Sequence, residues 1–263
     1  MTRYKAVFIY GAYCVIQPSV WIRAGIVIIY GANLDAAPHR HHAIQLIWPL
    51  EGAPCQLNGK EASALTIIDA NVEHQLQMPA GWVLLVEPKS QLGQELSLRL
   101  AGEGVKTFGS PFPYKGKTST KADDASVHLS HLFKELGLTT SPLLLNEARI
   151  RDKRIQQLLS ELDNCLQGEC IKPSHWRASS VASHLTLSES RFLHIFSEEM
   201  GIAWRPYLLW RRMICAIQAI LNNSSATDAA YLAGFSDSAH LSRTFKKTFG
   251  MTIRQAQTLF KKG

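Results

Sequence analysis

The chain has 263 residues, 46% hydrophobic and 19% charged, which is ordinary for a globular protein and enough for two cores. Its longest apolar run, Ile26–Tyr30, is too short to span a bilayer, which argues against a membrane-spanning protein. The net charge of +7 is concentrated: residues 201–263 hold nine Lys or Arg and two Asp or Glu, and the first 200 residues sum to zero. A basic C-terminal block indicates nucleic acid or a membrane surface as partner, although a solubilising surface has the same composition.

The N-terminus leads into no apolar run with a small-residue cleavage site. The five cysteines are odd in number, and their spacings match neither a disulfide framework nor a CxxC metal knuckle. This usage fits a reducing compartment, so we expect a cytoplasmic protein.

Residues 1–110 have the pattern of short β-strands. The strand-like runs are rich in β-branched residues and are separated by Gly, Pro, Asn and Asp. They are Gly25–Tyr30, Ile44–Trp48, Ala64–Ile68 and Trp82–Val86. Regular short strands of this kind predict a small barrel or sandwich as an N-terminal domain over residues 1–110.

The polar, Pro- and Gly-containing segment Gly109–Asp124 predicts a linker. After it, apolar residues recur at helical spacing, and Gly137 is suited to end the first helix. The two stripes are Leu129, Leu132, Phe133 and Leu136, and then Ile155, Leu158, Leu159, Leu162 and Leu166. Such stripes mark a core more often than a surface, but either could join two subunits. We therefore assign residues 111–148 as a linker with a possible dimerisation helix.

From Ser179 onward the sequence nearly repeats itself. Ala182 matches Ala230 at a shift of 48, whereas Ser188 matches Asp237 at a shift of 49. The second turn therefore has one extra residue. Each copy has a small residue for close helix approach, a tight turn, a capping side chain and a second helix with one polar face. This pattern predicts two helix-turn-helix units, whose second helices can enter a major groove.

A long helix is predicted between the two copies. Pro206 is tolerated only in the first turn of a helix, so the helix should begin near Ala203 and continue to Leu221. A rod of about 28 Å follows from this length. Such a rod can place two recognition helices about one DNA turn apart, so that one chain reads two successive grooves.

The segment Gly234–Gly250, GFSDSAHLSRTFKKTFG, resembles the signature of the AraC/XylS family of bacterial transcription regulators, and Tyr207–Arg212 resembles its linker helix. The resemblance implies an α+β protein in which residues 149–263 form an all-α DNA-binding domain. The family usually continues with Thr/Ser-Pro and then Tyr-Arg, whereas this chain has Met251-Thr-Ile-Arg without the proline. A small local change in the last helix is expected.

Helix position predicts which side chains face DNA. In the first unit these are Ser190, Arg191, Leu193 and His194, and in the second Ala239, Ser242, Arg243, Lys246 and Lys247. Arg243 is the best candidate for a guanine contact, while Arg191, Lys246 and Lys247 suit phosphates. Because the first recognition helix carries Glu198 and Glu199, we expect the second unit to be the main electrostatic contact.

The N-terminal half contains the spacing of the first motif of cupin barrels, in His39, His41, Gln45 and Gly52. Gln45 stands where cupins have an acidic residue. His74 is a candidate for the later cupin histidine. The resemblance implies a cupin-like barrel in which His39, His41, Gln45 and His74 contact an effector. Three imidazoles could also hold Zn, Fe or Ni, but Gln45 replaces a carboxylate poorly, so we assign no metal and no cofactor.

The sequence favours a DNA-binding transcription regulator. Members of the family are most often activators, so we expect this protein to activate transcription through contact with RNA polymerase. We also expect it to form a homodimer. It shows no nucleotide-binding, zincin or hydrolase motif, so we expect no enzyme. Two alternatives stay open: a metal-dependent cupin enzyme fused to a DNA-binding module, and a sequence-tolerant architectural DNA binder.

Overall fold

The fold of the chain was obtained as a computed structural model, and the strands and helices of its described residues follow the predicted order from β to α. The structure describes residues 5–9, 12–16, 19–23, 25–50, 53–108, 129–130, 132–134, 136–138, 150–167 and 176–260. The predicted linker Gly109–Asp124 and Gly52 of the cupin-like motif lie outside the described residues.

The N-terminal half is built from antiparallel strands. They are β1 (Lys5–Ile9), β2 (Ala12–Ile16), β3 (Ser19–Arg23), β4 (Ile26–His39), β5 (Ile44–Pro49), β6 (Gln56–Leu57), β7 (Lys60–Glu61), β8 (Thr66–Ile68), β9 (His74–Val86) and β10 (Val105–Thr107). The main sheet has the order β10-β8-β5-β9-β4-β3, and β6 with its partner β7 joins it through β9. All four predicted strand runs are found in it. The long strands β4 and β9 pair along most of their length.

The helices follow the sheet in the chain. They are α1 (Gln91–Leu100), α2 (Lys153–Gln167), α3 (Ala178–His184), α4 (Glu189–Met200), α5 (Trp204–Leu221), α6 (Ala226–Leu232), α7 (Ser238–Phe249) and α8 (Ile253–Phe260). The linker helix α5 has 18 residues with Ala203 at its N-cap, as predicted. An antiparallel sheet followed by a helical C-terminal part confirms the predicted α+β class.

Packing divides the chain into two compact units. The first comprises Met1–Asn146 together with Phe245–Gly263, and the second comprises Glu147–Thr244. The sequence predicts one domain over residues 149–263, whereas the end of α7 and all of α8 group with the N-terminal sheet in the structure. Helix α8 lies against β4 within the first unit.

Both helical stripes are part of these cores. The core of the N-terminal sheet includes the first stripe, Leu129, Leu132, Phe133 and Leu136. Ile155, Leu158, Leu159 and Leu162 are buried in the core of the second unit, and the side chain of Leu166 is not among the described ones. The faces offered as possible dimerisation surfaces are therefore already covered within one chain.

The described cysteines differ in state. Cys55 is a buried free thiol, and burial raises its pKa to about 12. Cys215, on α5, is disulfide-bonded, which the reading of the cysteine spacings did not anticipate. Among the described residues, no helix is both long and apolar enough to cross a membrane.

Candidate functional site

The first helix-turn-helix unit consists of α3, a short turn and α4. The amide of Leu187 donates to the carbonyl of Ala182 at 2.8 Å, which closes the end of α3. This bond requires a left-handed residue just before Leu187, and Thr186 supplies it with φ of 57°. Ser188 then caps α4, since its hydroxyl accepts a hydrogen bond from the amide of Arg191 at 3.3 Å.

The second unit, α6, turn and α7, repeats this geometry. The amide of Phe235 donates to the carbonyl of Ala230 at 2.8 Å, and Gly234 has φ of 78°. The extra residue is Ser236, which lies between this turn and the cap. Asp237 caps α7, since its carboxylate accepts a hydrogen bond from the amide of His240 at 2.6 Å. That bond, with smaller contributions from Ser236 and Arg243, lowers the pKa of the Asp237 carboxyl.

Each second helix buries one face and exposes the other. The buried residues are Phe192, Ile195 and Phe196 on α4, and Leu241, Phe245 and Phe249 on α7. Eight of the nine predicted DNA contacts are exposed: Ser190, Arg191, His194, Ala239, Ser242, Arg243, Lys246 and Lys247. The ninth, Leu193, is half-buried and packs against the core of the second unit, so it offers less surface than predicted.

The exposed faces differ in charge. On α4, His194 lies 3.5 Å from the carboxylate of Glu198 one turn later. On α7, the last turn carries Lys246 and Lys247 and no acidic residue. The α7 face therefore offers more positive charge to a phosphate backbone than the α4 face.

Two features that support the first unit have no short sequence motif. Trp204, at the start of α5, is buried with its ring edge toward Phe192 and Phe196, at centroid distances of 5.4 and 5.0 Å. Further along α5, the guanidinium of Arg211 donates to the carboxylate of Asp163 on α2 at 2.5 Å. The Arg211 side chain is only 5% exposed, so this ion pair is buried. A salt bridge between residues 48 apart can be recognised from sequence only once the fold is known.

The N-terminal unit brings the four predicted effector contacts together. His39 lies at the end of β4, His41 follows it, Gln45 lies on β5 and His74 begins β9. All four side chains are buried. The rings of His39 and His74 are 4.3 Å apart between centroids, and that of His41 lies 5.6 and 5.3 Å from them. We call these three residues the histidine cluster.

Hydrogen bonds orient each ring of the histidine cluster. Nδ1 of each histidine faces a backbone carbonyl two residues away, at 2.8 to 3.0 Å. The carbonyls belong to Ala37 for His39, Ala43 for His41 and Val72 for His74. On the opposite side, Oε1 of Gln45 lies 3.0 Å from Nε2 of His41 and 3.2 Å from Nε2 of His74.

Burial is the main cause of lowered histidine pKa values in the cluster. It lowers the pKa of His39 to about 4 and that of His41 to about 3, with the neighbouring His74 adding to the effect. The pKa of His74 is lowered for the same reason. The rings are therefore neutral at pH 7, which is the form that binds a metal or accepts a hydrogen bond.

The histidine cluster also touches the end of α7. The amide of Ala37 donates to the carbonyl of Gly250 at 2.9 Å. Gly250 has φ of 66°, and a Cβ there would lie 2.3 Å from the carbonyl oxygen of Ala37 and 2.7 Å from Nδ1 of His39. Only glycine fits this approach, and the sequence analysis interpreted Gly250 solely as the residue that ends a helix.

Comparison with known proteins identifies relatives of this region. Residues 181–258 match the family model of a helix-turn-helix domain. The chain is 31% identical over 107 residues to the virulence regulon transcriptional activator VirF of Yersinia enterocolitica, covering 40% of this chain and 36% of that protein. It is 27% identical over 236 residues to the probable transcriptional regulator LumQ of Photobacterium leiognathi, covering 83% of this chain and 91% of that protein.

The alignment with VirF thus spans about a third of that relative's length. Among solved structures, an apo variant of ToxT from Vibrio cholerae aligns over 90% of this chain and 98% of its own with a TM-score of 0.50. At 11% identity this likeness concerns the fold alone, and it supports the sheet-then-helices architecture. Together with the matched turns and exposed helices described above, the match to the family model shows that residues 181–258 form a helix-turn-helix domain.

Proposed function

We propose that this protein is a transcription regulator that binds specific duplex DNA through α4 and α7. The observation that carries the proposal is the repetition of one turn geometry before two exposed, polar helices. The bonds Leu187 to Ala182 and Phe235 to Ala230 have equal length and the same position in each turn. The 18 residues of α5 between the units give a rod of about 27 Å, close to the roughly 34 Å of one DNA turn.

Charge and exposure divide the roles among the contact residues. Lys246 and Lys247 suit phosphate oxygens, which position the protein without reading sequence. Arg243 projects from the same exposed helix and suits a bidentate contact to guanine. On α4, Ser190 and His194 contact base edges and Arg191 contacts a phosphate. Leu193 is half-buried and contributes only a small apolar contact.

The N-terminal unit is the sensory part in this proposal. Its four buried polar side chains, His39, Gln45, His74 and His41, converge where a small effector can be held. The protein acts in the bacterial cytoplasm as a homodimer and activates transcription through contact with RNA polymerase, without catalysis of its own. The similarity to VirF, a transcriptional activator, supports activation.

Selection of genomic DNA fragments by the full-length protein tests the proposal. At about 150 mM salt, where non-specific binding is weak, we expect a motif with two blocks about 10 base pairs apart. A matched control carries Arg254→Ala, which removes an exposed arginine of α8 outside the recognition helices and should recover the same motif.

The variant with Arg243→Ala and Lys246→Ala together should lose most of the enrichment. Enrichment of fragments without any shared motif would instead indicate an architectural DNA binder. If the wild-type protein and the double variant recover the same fragments equally, α7 does not read DNA and the proposal is wrong.

A further inference from the structure

His240 is an exposed residue of α7 that lies outside the nine predicted DNA contacts. It is in the first turn of the helix, three residues before Arg243 and seven before Lys247. Residues with this spacing share one face of a helix, so the three side chains form a single stripe. The N-terminal residues of a recognition helix are the ones that contact base edges in the major groove. His240 therefore lies at the base-reading end of the α7 face.

The His240 ring is held in place by its neighbours. Nδ1 of the ring lies 3.1 Å from the hydroxyl oxygen of Ser236. The ring stands nearly perpendicular to that of buried Phe235, with the ring centroids 5.3 Å apart. The amide of His240 also donates to the carboxylate of Asp237. A side chain that is already oriented loses little conformational freedom on binding, which favours one defined contact.

The tautomer of the ring follows from these hydrogen bonds. The hydroxyl of Ser236 donates its only proton to the carboxylate of Asp237 at 3.0 Å, because an ionised carboxylate can only accept. The oxygen of Ser236 therefore accepts from Nδ1 of His240, so Nδ1 carries the ring proton. In a neutral imidazole the other nitrogen, Nε2, is then an acceptor. The side-chain hydrogen bond of His240 to the described residues uses Nδ1, which leaves Nε2 for an external donor.

The first helix-turn-helix unit has no equivalent of this arrangement. Ser236 is the extra residue of the second turn, whereas Leu187 in the first turn is followed directly by the cap Ser188. At the shift of 49, Arg191 corresponds to His240. A guanidinium has only donors and suits a phosphate, but an acceptor nitrogen cannot bind a phosphate oxygen, which is also an acceptor. The two corresponding side chains therefore differ in what they can contact on DNA.

The groups that bases offer in the major groove determine the partner of Nε2. Cytosine presents the amino group at N4 and adenine the amino group at N6, and both are donors. Guanine presents N7 and O6, and thymine presents O4, all of which are acceptors. An acceptor nitrogen that faces the groove therefore favours an amino group and is repelled by a keto oxygen.

We propose that His240 is a specificity-determining residue of the second unit, and that its Nε2 accepts a hydrogen bond from the amino group of a cytosine or adenine. Ser236 and Asp237 are positioning residues, because they act through His240 by holding its ring in this tautomer. The inference deepens the proposed function and rests on it, since it requires that α7 enters a major groove.

Affinities of the full-length protein for its selected site, with each base pair substituted in turn, test the role of His240. At one position, His240→Ala should reduce the preference for an amino base about fivefold, the loss expected for one hydrogen bond, and leave the other positions unchanged. His184→Ala, which removes an exposed histidine of α3, should keep every preference. A uniform loss at all positions in His240→Ala would assign the ring to a phosphate and overturn the proposal. Unchanged preferences would overturn it as well.

A pair of serine variants tests the positioning of the ring. Ser236→Ala removes the acceptor of Nδ1, so the ring can carry its proton on Nε2 and donate to guanine or thymine. It should therefore weaken the preference at the same position, while Ser236→Thr, which keeps the hydroxyl, should retain it. A misfolded variant would instead lose affinity for all duplexes. Equal preferences in the two variants would show that the hydroxyl does not position the ring.

The NMR shifts of the ring nitrogens provide a measurement that needs no DNA. In the wild-type protein they should show the neutral His240 ring with its proton on Nδ1, and a proton on Nε2 would overturn the proposal. The site selection separates the two levels of inference. If the wild-type protein recovers no motif, the proposed function and this inference both fail. If it recovers a motif in which His240→Ala changes no single position, only this inference fails.

Discussion

The two helix-turn-helix units of this chain share a backbone but differ in what supports them. In the first, α4 packs on a core that includes α2 and Trp204, and Arg211 of α5 pairs with Asp163 of α2. In the second, α7 ends at Gly250, whose carbonyl is bonded to the N-terminal sheet. The same motif is thus stabilised by helices in one copy and by a strand of the N-terminal sheet in the other.

The surfaces of the two units differ as well. The α4 face is close to neutral, with His194 beside Glu198, whereas α7 presents Arg243, Lys246 and Lys247. Because phosphate contacts dominate affinity for DNA, the proposed function predicts that the second unit supplies most of the binding energy.

The largest expected effect is on the support of the first unit. Asp163→Ala should lower the free energy of unfolding by about 3 kcal/mol, because it leaves the buried guanidinium of Arg211 without its carboxylate. Urea denaturation followed by circular dichroism measures this. As a control, Asp152→Ala removes a carboxylate from a more exposed ion pair with Arg154 and should cost less than about 1 kcal/mol. Equal losses in the two variants would contradict a special role for the buried pair.

The next effect concerns base reading by the second unit. Arg243→Ala should reduce discrimination at one position of the selected site by about 1–3 kcal/mol, because a bidentate arginine contact is lost. Affinities for duplexes substituted at each position measure this. His194→Ala on α4 is the comparison, and it should change discrimination less because Glu198 already pairs with His194. A uniform loss at all positions would instead assign Arg243 to phosphates.

Much of this comparison could be predicted from the sequence. The repeat with shifts of 48 and 49 located both turns, showed that the second has one extra residue and identified the caps Ser188 and Asp237, because these depend on local chain geometry. Pro206 likewise predicted the start of α5, because proline is tolerated only in the first turn of a helix. The sequence spacing also predicted that His39, His41 and Gln45 form one site. They lie close together because they are on one strand, the following turn and the next strand.

Other features could not be predicted because they depend on distant parts of the chain. The contact of Gly250 with Ala37 joins residues more than 200 positions apart, and no pattern at either end indicates it. The stripe around Leu132 was open to two interpretations, because an apolar helix face looks the same whether a sheet or a second subunit covers it. Thr186 gives a similar lesson on a local scale, since nothing in its type predicts a left-handed backbone.

The turns themselves provide a smaller test. Gly234→Thr should destabilise the second unit by about 1–2 kcal/mol, because a residue with a Cβ is strained at φ of 78°. Thr186→Gly should stabilise the first unit by less than about 1 kcal/mol, because relief of strain is offset by the greater freedom of glycine in the unfolded chain. Thermal unfolding of both variants checks the opposite signs. Two changes of the same sign would show that the turns are not equivalent.

The smallest effect separates phosphate contacts from base contacts. Lys246→Ala should weaken binding to all duplexes about equally and reduce the slope of log K against log salt by about one, because one fewer counterion is released. Arg191→Ala at the start of α4 should reduce the slope less if the second unit is the main electrostatic contact. Lys60→Ala, on strand β7 outside the helix-turn-helix units, should leave the slope unchanged. A larger reduction for Arg191→Ala than for Lys246→Ala would reverse the assignment of the two units, since the slope counts phosphate contacts whatever sequence the helices read.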